Sequence, residues 1–308
     1  MSELEFIDRL RRRIPAARGL ALGIGDDCAI YRPPPDEDLL FTTDLLIEDV
    51  HFRGVTHPPE AVGYKTLARG LSDIAAMGGR PVFCLLSLAL APWTKQPWVD
   101  GFWRGLLKLA RETGTALAGG DIARAARVTC DIVVCGRVPG GGALRRDGAR
   151  PGDAIYVSGR LGASALGLER GSGRAWLRHL RPQPRLALGT FLRRHLKATA
   201  AMDLSDGLSL DLCRLCRASR VAASIDRPLP VFRGATLDHA LHGGEDYELL
   251  FTLPPACKPP AAYRGVPLTR IGEIRKGRPG KVLLAGRPLA PLGYDHLRSA
   301  SRERGIAP

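Results

Sequence analysis

The stretch from Gly23 to Phe52, GIGDDCAIYRPPPDEDLLFTTDLLIEDVHF, decides how this chain is read. Asp26, Asp27, Asp44, Glu48 and Asp49 crowd into it beside Thr42, Thr43 and His51, and two glycines relax the backbone ahead of the first aspartates. The chain as a whole is short of acid: 45 Lys and Arg stand against 31 Asp and Glu in 308 residues, a net charge of +14. Carboxylates gathered at turns of so basic a protein point to holding a ligand rather than to solvating a surface. Hard cations such as Mg²⁺ take carboxylate oxygens and are commonly shared with a substrate's phosphates.

Working outward, residues 2–13 show the apolar spacing of an amphipathic helix, with Ser2 and Glu5 as a capping box. LLFTTDLLIEDVHF reads as two strands broken near Asp44, which puts Thr42, Thr43 and Asp44 at a strand end and His51 on the second strand. Pro58, Pro59 and Glu60 open a long helix that Gly78 and Gly79 close. Asp73 falls inside that helix, either solvated or turned toward a site. PVFCLLSLAL is a buried strand, WVDGFWRGLLKLARETG a helix, and TALAGGD a strand ending in a Gly-Gly-Asp turn.

This alternation describes one α/β domain over residues 1–140. The Gly-rich, charged GGGALRRDGARPGD marks a boundary, and strand–turn–helix logic restarts over 141–308. There ATAAMDLSDGLSLDLCRLCRAS reads as a strand, an acidic turn and a helix that Ser205 or Asp203 can cap, and HGGEDYELLFTLP as a Gly-Gly-acid turn feeding a strand.

Five turns of one kind thus recur: GIGDD, TTD, GGD, DLSDG and GGED. Each sets a carboxylate beside Gly, Ser or Thr, where a bulky anion and its metal ions can approach closely. One such turn is an ordinary Asx turn or helix cap. Five together call for a shared ligand. No GxxxxGK[ST], GxSxG, HExxH or kinase HRD and DFG motif occurs, so ATP would bind through metals and glycine turns.

The seven cysteines are scattered and odd in number, as expected of buried thiols in a reducing compartment. Cys213 and Cys216 form a CxxC within a helical pattern and have no second pair to complete a zinc site. No apolar run approaches the roughly 18 residues of a membrane span, so a cytoplasmic protein is expected. The positive charge raises a nucleic-acid-binding alternative, but the basic residues are dispersed and aromatics are 6%.

In order and spacing, GIGDDCAIY, TTDLLIEDVHF, GLSDIAAMGGRP, GGD, DLSDGLSLDL and GGEDYEL resemble the thiamine-monophosphate kinase family, within the superfamily typified by aminoimidazole ribonucleotide synthetase. The resemblance runs from about Gly23 to Tyr294. It implies that superfamily's two-domain fold, with an N-terminal mixed sheet that dimerises and a C-terminal α/β domain. It also implies ATP-dependent phosphorylation of thiamine monophosphate to the diphosphate, the last step of that cofactor's synthesis. Carried over by motif, Asp27, Thr42, Thr43, Asp44, Asp73, Asp121, Asp203 and Asp206 would ligate several Mg²⁺ ions, with Asp44 and Asp206 central to catalysis. Gly120, Asp121, Arg146 and Ser205 would meet ATP, while His51, Glu245 and Tyr294 would contact thiamine monophosphate. The expected partners are these two substrates and a second copy of the chain, with no nucleic acid and no membrane.

The chain departs from the family pattern at Arg69 and Gly70, where Val-Asn is common, and at Asp49 and Ile122. Arg69 brings an extra cation close to Asp73. Related enzymes fit less well: selenophosphate synthetase needs a reactive residue in a Gly-rich loop before GIGDD, and the hydrogenase-maturation enzyme a C-terminal cysteine, whereas no cysteine follows Cys257.

Overall fold

The computed structural model describes residues 19–22 and 30–294. The helix expected over 2–13, and Asp26 and Asp27 of the first acidic turn, lie outside the described residues.

Four long strands form the sheet of the N-terminal half: β3 (Glu37–Ile47), β4 (Arg80–Leu90), β5 (Ala116–Arg124) and β6 (Thr129–Pro139), in the order β3-β6-β4-β5. A ribbon of β1 (Leu20–Leu22) and β2 (Ile30–Tyr31) precedes them. Helices α1 (Pro59–Ala76) and α2 (Gln96–Thr113) cover one face. Pro59 opens α1, where a missing N–H costs nothing, and Gly78 follows its last turn at φ 69°. The two helices touch backbone to backbone. A Cβ on Gly63 would sit 1.9 Å from the Phe102 carbonyl oxygen, and one on Gly105 would sit 1.9 Å from that of Glu60.

Two expected breaks are absent. β3 pairs with β6 residue for residue from Glu37 to Ile47, so Asp44 lies within a strand and not at its end. Likewise Gly119, Gly120 and Asp121 lie inside β5, paired with Leu85, Leu86 and Ser87 of β4. Backbone pairing along one neighbouring strand, β6 for β3 and β4 for β5, outweighs the local turn preference of Thr-Asp and Gly-Gly-Asp. Gly120 is still required there: at φ 150° its Cβ position lies 1.9 Å from the Leu86 carbonyl oxygen.

The C-terminal half builds an eight-stranded sheet. Its centre is β7 (Ala154–Ser158), flanked by β10 (Leu249–Leu253) and β12 (Val266–Arg275), with β8 (Ala200–Asp203) beside β10, β9 (Ala222–Ile225) beside β12, and the short β11 (Ala262–Tyr263) also paired with β12. Helices α3 (Ala163–Arg170), α4 (Gly173–Leu180), α5 (Leu186–Phe191) and α6 (Leu208–Ala218) pack around it. Cys213 and Cys216 face the core from α6, as the helical reading of the CxxC requires. Ala75 and Ala76, at the end of α1, join Leu188, Leu192 and Phe251 in a buried cluster that seats α1 on the C-terminal half. α1 therefore belongs to both halves, and the site is built on it.

Candidate active site

Lys65, Arg69, Ser72 and Asp73 recur along α1 at i, i+4, i+7 and i+8, which places them on one face. Each meets a polar partner from elsewhere. Lys65 Nζ donates to Glu245 Oε2 at 2.9 Å. Arg69 reaches Asp44 Oδ1 at 3.2 Å and donates to the Leu45 carbonyl at 2.9 Å. Ser72 Oγ donates to Asp203 Oδ2 at 2.7 Å, and Asp73 Oδ2 accepts from Thr42 Oγ1 at 2.5 Å.

Three carboxylates from three elements, Asp44 on β3, Asp73 on α1 and Asp203 at the end of β8, thereby press on one another. Burial first, then Arg69 in opposition and Asp73 in support, leaves Asp44 raised to about 6. Asp203 is pushed well up by burial and then by Asp73, and Asp73 itself is raised by burial against the Thr42 hydrogen bond. Among the described residues no group of three or more His, Cys, Asp or Glu side chains is by itself placed to hold a metal ion. The arrangement is an open, over-negative cluster, which suits a hard cation that keeps part of its shell for water and phosphate oxygens.

The strand alternation of β3 divides the expected metal set. Thr42 and Asp44 point to α1, whereas Thr43 faces the other side of the sheet and donates to Asp131 Oδ1 at 2.7 Å. Asp121 belongs to that outer face too, on the far edge strand, and accepts from its neighbour's N–H at 2.8 Å. Asp206 is tied to Arg214 of α6. Neither Ser205 nor Asp203 caps α6. Asp211, buried in its first turn, accepts from the backbone N–H of Asp206 at 3.0 Å and of Gly207 at 3.1 Å.

Arg146 lies close enough to Asp73 to favour its ionised form. Ser205 accepts the Glu245 N–H at 2.7 Å through its carbonyl, which joins the DLSDG and GGED turns. Tyr294 is half exposed, and its N–H donates to the Asp206 carbonyl at 3.0 Å. His51 is in a turn and not on a strand, because its Nδ1 accepts the Ile47 N–H at 3.1 Å and folds the chain back after β3.

Sequence reading missed Lys65, which is 1% exposed, and with it a buried pair of histidines. His179 of α4 places Nδ1 3.4 Å from Glu245 Oε2 and Nε2 3.1 Å from His57 Nε2. The signal available was a lysine in phase with Arg69, Ser72 and Asp73. Burial alone would raise Glu245, but Lys65 above all, then His179 and Arg69, holds its carboxyl at about 2. Burial, reinforced by Lys65, lowers His57 to about 4 and His179 to about 2.

These buried rings stay neutral when folded but take up protons near pH 6.5 once unfolded. The stability they contribute is therefore lost as pH falls below about 6.5, at up to about 1.4 kcal/mol per pH unit for each ring. Asp44 titrates with the opposite sign, but it is common to wild type and a His179→Asn variant and cancels in their difference. The stability gap between the two should narrow by about 2 kcal/mol from pH 7 to pH 5 in urea denaturation. A gap that widens on acidification would refute the neutral assignment.

Comparison with known proteins gives consistent relatives. Residues 25–138 match the family described as AIR synthase related protein, N-terminal domain. The thiamine-monophosphate kinase of Escherichia coli K12 is 38% identical over 322 aligned positions, covering 96% of this chain and 98% of that protein. The crystal structure of thiamine-monophosphate kinase from Stenotrophomonas maltophilia K279a superposes with a TM-score of 0.84 at 38% identity, covering 94% of this chain and 98% of that one. A further structure, "AaThiL complexed with AMPPCP and TMP", superposes at 0.77 with 30% identity and 95% of each chain covered.

Proposed function

Since this chain belongs to the thiamine-monophosphate kinase family, we propose that it transfers the γ-phosphoryl group of ATP to thiamine monophosphate, giving ADP and thiamine diphosphate. The observation that carries this reading is the meeting, along one face of α1, of the crowded carboxylates Asp44, Asp73 and Asp203 with the ionised Glu245. A relative of the same fold holds an ATP analogue together with TMP, the pair of ligands the reaction needs.

Asp44, Asp73 and Asp203 would hold Mg²⁺, with Thr42 and Ser72 orienting two of the three carboxylates. The metal, when bound, neutralises phosphate charge that these residues would otherwise repel. Arg69 keeps Asp44 from being repelled outright in the unloaded site. The acceptor is a phosphate oxygen, ionised near neutral pH because its second pKa is about 6. No general base and no covalent phospho-enzyme are needed, and catalysis rests on positioning and charge. Glu245 Oε1 is buried without a hydrogen-bond partner among the described residues, and it accepts from the acceptor substrate. His51 and Tyr294 flank the same substrate from the turn after β3 and from beside Asp206.

Gly120, Asp121, Arg146 and Ser205 are the residues that would meet ATP. Residues 1–140 act as the nucleotide, metal and dimerisation domain, and 141–308 complete the site. The six described cysteines are all unpaired thiols, which supports work in the cytoplasm. No described helix is long and apolar enough to cross a membrane.

A second copy covers the outer face of the sheet. Phe41 is 64% and Leu45 44% exposed there, side by side on edge strand β3, with Thr43 between them. Burying one Phe is worth about 1.5–3 kcal/mol, and a two-fold interface counts it twice. Phe41→Glu should therefore raise the dimer dissociation constant by roughly 100-fold or more. An unchanged sedimentation profile across a dilution series would exclude this face.

The function is tested by offering ATP and Mg²⁺ with thiamine monophosphate, thiamine or an aminoimidazole ribonucleotide precursor, and separating the products. Thiamine diphosphate should form from the monophosphate alone. Equal use of free thiamine, or product only from the precursor, would reject the assignment.

A further inference from the structure

We propose that Lys65 and His179, one from each half of the chain, are positioning residues for Glu245: together they occupy Oε2 so that Oε1 is left for the acceptor substrate. The inference rests on Glu245 being a substrate residue, as argued above.

The direction of the hydrogen bonds supports it. The Arg53 N–H donates to His57 Nδ1 at 3.2 Å, so the His57 proton is on Nε2. That proton is donated to His179 Nε2 at 3.1 Å, which puts the His179 proton on Nδ1. Nδ1 then faces Glu245 Oε2 at 3.4 Å and Ser164 Oγ at 2.9 Å. Lys65 Nζ, also a donor, lies 2.9 Å from Oε2 and 3.4 Å from the accepting His179 Nε2. Lys65 Nζ thus donates directly to Glu245 Oε2, while the His179 Nδ1–H, whose hydrogen-bond partner is Ser164 Oγ, lies beside the same oxygen. Trp176 stacks on the His179 ring with centroids 5.1 Å apart, which fixes its plane.

The backbone adds an independent observation. Glu245 and Tyr247 both adopt left-handed conformations, at φ 64° and 50°, although neither is glycine. Such conformations are strained and persist where the surroundings over-determine them, typically at ligand sites. Here the Glu245 N–H is held by the Ser205 carbonyl at 2.7 Å and that of Tyr247 by the Leu204 carbonyl at 2.9 Å. A network aimed only at joining the two halves would not require a strained carboxylate with one oxygen left unpaired. Because Lys65 and His57 come from one half and His179 and Glu245 from the other, the carboxylate is correctly set only when the halves are docked.

The test compares steady-state kinetics of Lys65→Met, His179→Gln, Glu245→Gln and the double variant Lys65→Met/Glu245→Gln, with Lys65→Arg as the conservative control. Acting through Glu245, Lys65→Met should raise KM for thiamine monophosphate by roughly tenfold or more while leaving KM for ATP within about twofold. Lys65→Arg should recover most of that loss. The double variant should be no worse than Glu245→Gln alone, because residues acting as one unit are not additive. If Lys65→Met does not fold, His179→Gln, which removes a neutral donor, must show the same selective rise in KM. An unchanged KM for thiamine monophosphate in a folded variant, equal changes for both substrates, or additive effects in the double would overturn the inference. Wild-type turnover without these effects would sink only the positioning role, whereas wild type inactive on thiamine monophosphate would sink the function first.

Discussion

Asp44→Asn should lower turnover by roughly 100- to 1000-fold while the protein stays folded. Asp44 is fixed in the middle of β3 by pairing with β6, so Asn there keeps the strand and nearly the same shape. What it removes is the charge. That charge is one the fold already opposes, since burial raises the Asp44 carboxyl to about 6. A carboxylate raised in the folded state costs stability as pH rises through its folded value, so neutralising it at pH 7 relieves the cluster. Arg69 retains the Leu45 carbonyl and the field of Asp73. Thermal denaturation should therefore show a Tm unchanged or slightly higher, beside a severe loss of kcat. A variant at near-normal rate with saturating Mg²⁺ would remove Asp44 from the metal set.

Gly105→Ala should destabilise the protein by roughly 3 kcal/mol, the upper range for overpacking. The added Cβ would fall 1.9 Å from the Glu60 carbonyl oxygen, a backbone atom that no side-chain rotation can move. Gly63 makes the reciprocal contact with Phe102, so neither helix can yield without separating the pair. The cost reaches the site because α1 carries Lys65, Arg69, Ser72 and Asp73 on its opposite side. The urea midpoint should fall markedly with an unchanged slope. A midpoint within error of wild type would show that the helices are not held at this distance.

Long-range physics explains which parts of the site were legible. The apolar run opened by Pro59 and closed by Gly78 specifies α1 locally, and the CxxC falls in phase with buried leucines, so both read correctly from the chain alone. Thr42 and Asp44 were grouped with Thr43 because the three are adjacent. Strand alternation sends Thr43 to the other face, and only the unbroken pairing with β6 reveals it. Gly119, Gly120 and Asp121 looked like a turn because glycine favours one. Gly120 instead serves close approach between β5 and β4. Lys65 carries no signal in the sequence beyond its phase with Arg69, Ser72 and Asp73, because a lysine in a helix usually faces water and its partners Glu245 and His179 lie 180 and 114 residues away. Asp211 replaced the expected caps since it reaches back to the turn from inside the helix, a geometry that a search for N-cap residues does not consider.

The most direct test of the central claim is a ³¹P NMR time course with ATP, Mg²⁺ and thiamine monophosphate. Loss of the ATP γ resonance should be matched one for one by the β-phosphate of thiamine diphosphate and by ADP, with no inorganic phosphate. ADP appearing with inorganic phosphate while the thiamine monophosphate resonance stays constant would contradict it.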